Sequence, residues 1–248
     1  MSAEEKTVDE SFAQMQTERV HVIFTKIAQR YELFNTVSSF GACKVWLAKL
    51  VDKVPVKKDT KVLDIAGGTG DVSFELARKK HPASIVCSDL VPAMLEVARG
   101  HYLAGDSCGV PVTFAVVDAQ DILFEDASFD VVTVAYGIRN MPDREKALSE
   151  MYRVLKPGGT LVCLEFSRPQ NKAWRGLYSF YLKHLIPFWG RLITKDLDSF
   201  IYLGDSIRAF PPQEEFAGML KNAGFKKVEW TNLSGGIAAI HTGVKEEA

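Results

Sequence analysis

From Lys61 onward, short apolar runs alternate with stretches of helical spacing. Val62 to Ile65, Ser84 to Asp89, Val112 to Val117, Phe129 to Ala135 and Thr160 to Phe166 read as five strands. Such alternation predicts an α/β fold, a doubly wound, Rossmann-like and mostly parallel sheet with helices on its faces. Upstream, Val22, Ile23 and Ile27, then Trp46, Leu47 and Leu50, recur at helical spacing between about Phe12 and Asp52, which predicts cap helices behind a frayed tail. Downstream, the alternation stops between Ser167 and Pro211. There Trp174, Tyr178, Phe180, Tyr181, Phe188, Trp189, Phe200 and Tyr202 are interspersed with Lys183, Arg191 and Lys195. A helix near Gln213 to Ala223 and two further strands, Lys227 to Asn232 and Ile237 to Gly243, follow as an antiparallel hairpin. The pattern divides the chain into a tail with cap helices over 1–52 and an α/β domain over 53–248 that carries a helical, aromatic-rich lid at about 168–210.

The run Val62-Leu63-Asp64-Ile65-Ala66-Gly67-Gly68-Thr69-Gly70-Asp71 places a candidate site on this architecture, because a strand runs into three glycines within four residues and then into an acid that can open a helix. Glycine serves where backbone takes positive φ or approaches a ligand closely, and the free N–H groups of a helix start form a polar socket. A dinucleotide or S-adenosylmethionine could use the socket of Gly67, Gly68, Thr69, Gly70 and Asp71. The dinucleotide fingerprint wants a third glycine where Ser73 stands. A pyrophosphate also fits poorly beside the Asp71 carboxylate, whereas a ligand with an ammonium and a sulfonium fits well. Asp89, at the end of the second strand and 21 residues past Gly68, is placed to grip ribose hydroxyls; the plainer reading is a cap for the helix that begins near Pro92. The third strand ends in Asp118-Ala119, whose side chain and backbone N–H suit an adenine edge. The fourth ends in Tyr136-Gly137-Ile138-Arg139-Asn140. Ligands of such sheets bind beyond the carboxyl ends of the strands, so all four segments converge on one crevice.

At this point the chain resembles the class I S-adenosylmethionine-dependent methyltransferases. Within them, Arg153-Val154-Leu155-Lys156-Pro157-Gly158-Gly159-Thr160-Leu161-Val162-Cys163-Leu164-Glu165-Phe166-Ser167 is similar to the signature of the ubiquinone/menaquinone biosynthesis C-methyltransferases. Tyr136 to Asn140 is similar to that family's segment after strand four, and Tyr31, Asn35, Ser39, Phe40, Gly41 and Trp46 match its N-terminal signature. Two positions depart: Glu32 stands for the usual Asp and Cys43 for the usual His. The resemblance runs from about Phe24 to Gly243 and includes Leu197-Asp198-Ser199, Tyr202-Leu203, Ser206-Ile207 and Gly224-Phe225. It implies S-adenosylmethionine-dependent C-methylation of a prenylated quinol ring in respiratory quinone biosynthesis, the acceptor being demethylmenaquinol or the benzoquinol precursor of ubiquinol. It also implies that the last strand inserts antiparallel beside the sixth. Leu90, Met94 and Tyr136 join the cofactor residues above, and Tyr31, Asn35, Tyr181 and Tyr202 are the substrate residues it suggests. A related methyltransferase with another small acceptor and a silent cofactor-binding subunit of a quinone-synthesis complex are the alternatives. Tyr152 and Lys156 mimic a short-chain dehydrogenase pair, but Lys156 precedes Pro157-Gly158-Gly159, at a helix C-terminus where lysine is favourable for dipole reasons alone.

Ring methylation needs a carbon made nucleophilic by ionisation of a neighbouring hydroxyl, and a phenol loses its proton only near pH 10, about as tyrosine does. Arg139, just past the fourth strand, is the candidate catalytic residue: its permanent charge lowers a neighbouring phenol's pKa and stabilises the developing anion. The plainer reading is a surface ion pair with Asp143 or Glu145. Glu165, Tyr31 and an ordered water remain open as general base. The aromatic stretch is either the core of an extra helix pair or a lid that accepts a hydrophobic substrate at a membrane surface.

Composition narrows the class. With 248 residues and 47% hydrophobic content the chain supports one domain with an added cap, and 30 basic against 31 acidic residues give a net charge of −1, which argues against a nucleic-acid partner. Met1-Ser2-Ala3-Glu4-Glu5-Lys6 is acidic and polar where a signal peptide would be basic and then apolar, and no run approaches the roughly 18 apolar residues of a span. The chain is expected in the cytoplasm, with peripheral, transient contact at the inner face of the membrane; a homodimer or a quinone-biosynthesis complex are the assemblies to consider. Cys43, Cys87, Cys108 and Cys163 are spread without a Cys-x-x-Cys pair, and none of the five histidines has a partner at metal-ligand spacing, so neither a disulfide framework nor a metal is expected.

Overall fold

A computed structural model describes Met15, residues 17–186 and residues 197–247; the expected tail before Met15, and Phe188, Trp189, Arg191 and Lys195, lie outside the described residues. Helix α1 (residues 17–27) leads through a 3-10 turn, Ala28–Arg30, into α2 (Tyr31–Ser38) and α3 (Ala42–Lys53). Then β1 (Lys61–Ile65), α4 (Asp71–Lys80), β2 (Ser84–Asp89), α5 (Pro92–Leu103), β3 (Val112–Val116), β4 (Phe129–Ala135), α6 (Arg144–Val154) and β5 (Leu155–Phe166) alternate. Beyond them come α7 (Lys172–Phe180) with a π turn at Tyr181–Leu185, α8 (Leu197–Ala209), α9 (Gln213–Asn222), β6 (Lys226–Leu233) and β7 (Ala238–Val244).

The seven strands form one sheet in the order β3-β2-β1-β4-β5-β7-β6, and β7 lies antiparallel to both of its neighbours. The expected insertion of the last strand beside the sixth is therefore present. Strand order reverses between β1, which pairs β2 on one side, and β4 on the other, so the ligand crevice of such a sheet opens above Ile65 and Ala135.

Successive residues of a strand point to opposite faces, and here both faces are covered. Val62, Ile85, Val131 and Val162 enter one core with Trp46, Leu50 and Val51 of α3, Leu76 of α4 and Phe200 of α8. Leu63, Val132, Leu161 and Cys163 enter the other with Leu148 and Met151 of α6, Phe216 and Leu220 of α9 and Phe225. Cys87 of β2 and Cys163 of β5 are fully buried among these hydrophobes.

One strand boundary differs by more than a residue. Strand β5 begins at Leu155, five residues before the expected Thr160, because pairing with β4 shifts from Phe129↔Leu155 to Val131↔Thr160 and the bulge absorbs Lys156 to Gly159. Lys156 thus lies beyond the end of α6 and within the strand. Its Nζ stands 2.8 Å from the Asp130 carboxylate of β4, so an ion pair rather than the helix dipole accounts for it.

Candidate active site

The turn after β1 is built from its own sequence. Ala66, Gly68 and Gly70 take φ of +52°, +58° and +89°, and the last is the N-cap of α4. The N–H of Gly67 donates to the Ser88 carbonyl at 2.7 Å, and a Cβ at Gly67 would stand only 2.9 Å from Cys87 Sγ and 3.0 Å from the Asp64 carboxylate. Any larger residue would push the turn off the sheet. Beneath it, the fully buried Asp64 accepts from Ser73 Oγ and Thr133 Oγ1, each at 2.7 Å. Ser73, the residue that breaks the dinucleotide fingerprint, thereby ties α4 to β1. Burial pushes the Asp64 carboxyl up to about 6 despite these donors.

Asp89 braces the same turn from β2. Its Oδ2 accepts from the Gly68 N–H and its Oδ1 from the Val91 N–H, both at 2.9 Å. Helix α5 starts after Val91 without a side-chain cap, so the helix-capping reading of Asp89 does not hold. A carboxylate has about four acceptor positions, so the backbone donors do not exhaust Asp89. Burial raises Asp89 to about 6 against its backbone donors. Asp89, Leu90, Met94, Asp118 and Ala119 share a cavity of about 80 Å³ with Gly68 and Tyr136. Asp118 is turned partly toward its own loop, accepting from the Gln120 N–H at 2.8 Å. A neighbouring cavity of about 340 Å³ is lined by Gly67, Gly68, Thr69, Asp71 and Tyr136 together with Tyr31 and Asn35 of α2, and the two cavities meet at Tyr31, Ala66, Gly68 and Tyr136. Every predicted cofactor residue except Gly70 thus faces one continuous cleft.

The far wall of the cleft is acidic. Asp71 is raised to about 6 by burial and then by Glu32, against His101 and Lys44. His101, across the mouth, has Nε2 at 3.2 Å from Glu32 and Nδ1 at 3.0 Å from Asp106. Cleft and chemistry fit a nucleoside carrying an ammonium: a narrow end with Asp118 and Ala119, a diol acceptor at Asp89 and carboxylates at the wide end.

Arg139 lies in a 3-10 turn, Ile138–Asn140, and is only 5% exposed. Its partner is neither Asp143 nor Glu145: Nη1 reaches the Glu165 carboxylate of β5 at 3.0 Å and also donates to the Tyr136 carbonyl. Asp143 instead caps α6 through the Lys146 N–H at 2.9 Å. The guanidinium Cζ sits 5.4 Å from the centre of the Phe166 ring, and Phe166 in turn packs on Tyr136 with ring centres 5.0 Å apart. Behind that pair opens a third cavity, about 410 Å³ and strongly apolar, walled by Trp46, Phe166, Tyr178, Tyr181, Leu203 and Ile207. Its lining has no residue in common with the cleft.

The suggested substrate residues are therefore not gathered in one place. Tyr31 and Asn35 face the cleft and Tyr181 the apolar cavity. Tyr202 sits at the other side of Arg139, where its hydroxyl donates to Asn140 Oδ1 at 3.1 Å and its ring packs with Val20, Ile23 and Ile27 of α1. Burial pushes the Tyr31 hydroxyl up to about 12, with Arg139 opposing; Arg139 likewise opposes the effect of burial on Tyr178, Tyr202 and the Cys43 thiol. Asn140 and Asp64 carried no sequence signal of their own, and the apolar cavity is made from helices far apart in the chain.

The sequence model of the ubiE/COQ5 methyltransferase family matches residues 12–245. Among curated relatives, the ubiquinone/menaquinone biosynthesis C-methyltransferase UbiE of Cellvibrio japonicus is 40% identical over 248 residues, covering 98% of this chain and 99% of its own. In solved structures the fold recurs in the complex of the Haloferax volcanii Trm112 methyltransferase activator with its partner methyltransferase, at a TM-score of 0.66, 19% identity and coverage of 90% and 98%. It recurs also in Haemonchus contortus phosphoethanolamine N-methyltransferase 2 bound to S-adenosyl-L-methionine, at 0.60, 21% identity and coverage of 82% and 52%. By sequence along almost its whole length, and by a methyltransferase sheet, the chain belongs to the ubiE/COQ5 methyltransferase family.

Proposed function

We propose that the chain methylates a ring carbon of a prenylated quinol with S-adenosylmethionine, the donor lying in the cleft and the isoprenoid tail in the apolar cavity. The observation that carries this reading is the apolar cavity itself. It abuts the cleft across the tilted Tyr136–Phe166 pair, and the buried Arg139 guanidinium lies behind that pair, against the Phe166 ring. The curated relatives' name, ubiquinone/menaquinone biosynthesis C-methyltransferase, supports the same acceptor class.

When bound, S-adenosylmethionine supplies an electrophilic methyl group on a sulfonium. Asp89 takes the ribose hydroxyls and Asp71 the ammonium. Arg139 acts on the acceptor. The opposition it already exerts on the Tyr31 and Tyr178 hydroxyls, one on each side of it, is the effect a quinol hydroxyl would feel there. Beyond this field, alignment of ring carbon and methyl contributes most, about 7 to 11 kcal/mol in the best oriented cases.

The face around the apolar cavity supports peripheral membrane contact. Phe40, Trp174, Leu177, Phe180 and Leu185 line that cavity and are also exposed. Between Glu165 and Asp196 the sequence holds no acidic residue but has Arg168, Lys172, Arg175, Lys183, Arg191 and Lys195. An apolar rim carried by a stretch of sequence that is basic and free of acidic residues suits an anionic lipid surface. No helix among the described residues is long and apolar enough to cross a membrane.

Purified protein incubated with S-adenosylmethionine and a short-tailed demethylated quinol should yield a product heavier by one methylene unit, with the label on the ring. Failure with both naphthoquinol and benzoquinol acceptors rejects the reading. Arg139→Lys, which keeps the charge but loses the planar fork, should lower kcat and kcat/KM together while cofactor affinity holds.

A further inference from the structure

We propose that Glu165 is a positioning residue of the transfer step, clamping the Arg139 guanidinium behind the Tyr136–Phe166 pair that separates cleft from apolar cavity and setting how much of its charge the acceptor feels. The inference rests on the role given to Arg139 above.

The Glu165 side chain is 1% exposed and contributes to none of the three cavity walls. Its Oε1 accepts from Arg139 Nη1 at 3.0 Å and from the Phe166 N–H at 2.8 Å, and its Oε2 accepts from the Arg139 N–H at 3.2 Å. One carboxylate thus holds the side chain and backbone of Arg139 and the backbone of Phe166, the ring on which the guanidinium rests. So engaged, Glu165 is committed to holding Arg139 and Phe166; Arg139 likewise lines none of the three cavities and reaches them through the Tyr136 carbonyl and the Phe166 ring. Arg139 Nε is buried and has no hydrogen-bond partner among the described residues.

Tyr31 of α2, Cys43 of α3, Arg144 of α6, Tyr178 of α7 and Tyr202 of α8 face the pair from the packed elements, and Asp71 faces Tyr31 from within the cleft. Burial keeps the tyrosines and the thiol neutral. Tyr136, which also faces Glu165, is likewise kept neutral. Burial pushes the Glu165 carboxyl up, against the Arg139 charge and two backbone donors. The charges that count are then Arg139, Arg144, Asp71 and Glu165, and Glu165 is the one in contact with Arg139. Removing it leaves the guanidinium in place chemically but less fixed and less compensated.

Glu165→Gln keeps the shape and one acceptor. The expected result is a folded enzyme with unchanged cofactor affinity and kcat lowered on the order of 100-fold, as for a loss of about 1 Å in alignment. The acid limb of its kcat–pH profile moves down by about one unit, because the uncompensated charge ionises the acceptor more readily. Glu165→Asp, which keeps the charge, should slow turnover without moving the limb. In the background of Arg139→Ala, Glu165→Gln should cost nothing further.

Normal kcat in Glu165→Gln overturns the inference and spares Arg139. A limb that vanishes or moves up makes Glu165 a base and overturns it as well. Normal turnover in Arg139→Ala removes the role of Arg139 and this inference together. Should Glu165→Gln not fold, Glu165→Asp decides alone: unaltered kcat, or a shifted limb, rejects the clamp.

Discussion

At Asp89 and Asp71 the folded protein holds a carboxyl near 6, against an ordinary value close to 4, because both are buried. The folded values are raised, so ionisation of each costs stability, and the free enzyme gains stability as pH falls from about 6 toward 4. A ribose diol and an ammonium bind the ionised forms. S-adenosylmethionine affinity should therefore be flat above about pH 7 and fall through pH 6, and calorimetry between pH 5 and 8 that finds no slope would remove both carboxylates from the ligand. Asp89→Ala should weaken binding by about 1.5 to 3 kcal/mol, the range for a charge-assisted hydrogen bond, and leave the fold intact. The place of Asp89 in the cleft was legible because it follows from a fixed number of residues past a glycine turn. The Arg139–Glu165 pair was not, since it joins residues 26 apart that meet only when β4 and β5 pair. Locally, Asp143 and Glu145 looked like nearer partners.

Helix α7 is little embedded: of its nine residues only Tyr178 is buried. Leu177 and Phe180 are 58% and 55% exposed at the rim of the apolar cavity. Replacing both with Gln should change stability by no more than about 0.5 kcal/mol, as exposed positions do. Partition onto anionic vesicles should drop by about tenfold or more, since burying one such side chain is worth about 1.5 to 3 kcal/mol. Turnover of a short-tailed quinol should hold while KM for a long-tailed one rises. Equal vesicle binding by sedimentation would return these residues to a packing role. The sequence showed the aromatic density of this stretch but could not divide it. Which rings face the sheet depends on α3 and α8, whose Trp46 and Leu203 complete the cavity from distant parts of the chain.

For the molecule as a whole, stability rests on two cores separated by the sheet, and cap helix α3 belongs to one of them. Leu50→Ala should cost about 2 to 5 kcal/mol, roughly 2 to 4 °C in Tm for each kcal/mol in a chain of this size, although Leu50 lies outside the strand-helix alternation. Arg139→Ala should cost about 3 to 5 kcal/mol by stranding the Glu165 charge, and adding Glu165→Gln should recover much of it. Thermal melts of the single and double variants check both numbers; a double variant as unstable as the single one would mean that the charge is not what is lost.

The sheet's final pairing also bears on how the chain can be made. Strand β6 leaves the ribosome before β7, yet β7 is the neighbour that bonds it, and the apolar edge of β5 waits for the same strand. A nascent chain paused near Gly236 carries two open edges at once, the condition under which strands recruit other chains. The seven residues of β7 close both of those edges at once, so a cut or substitution that removes this one strand takes a partner from two others.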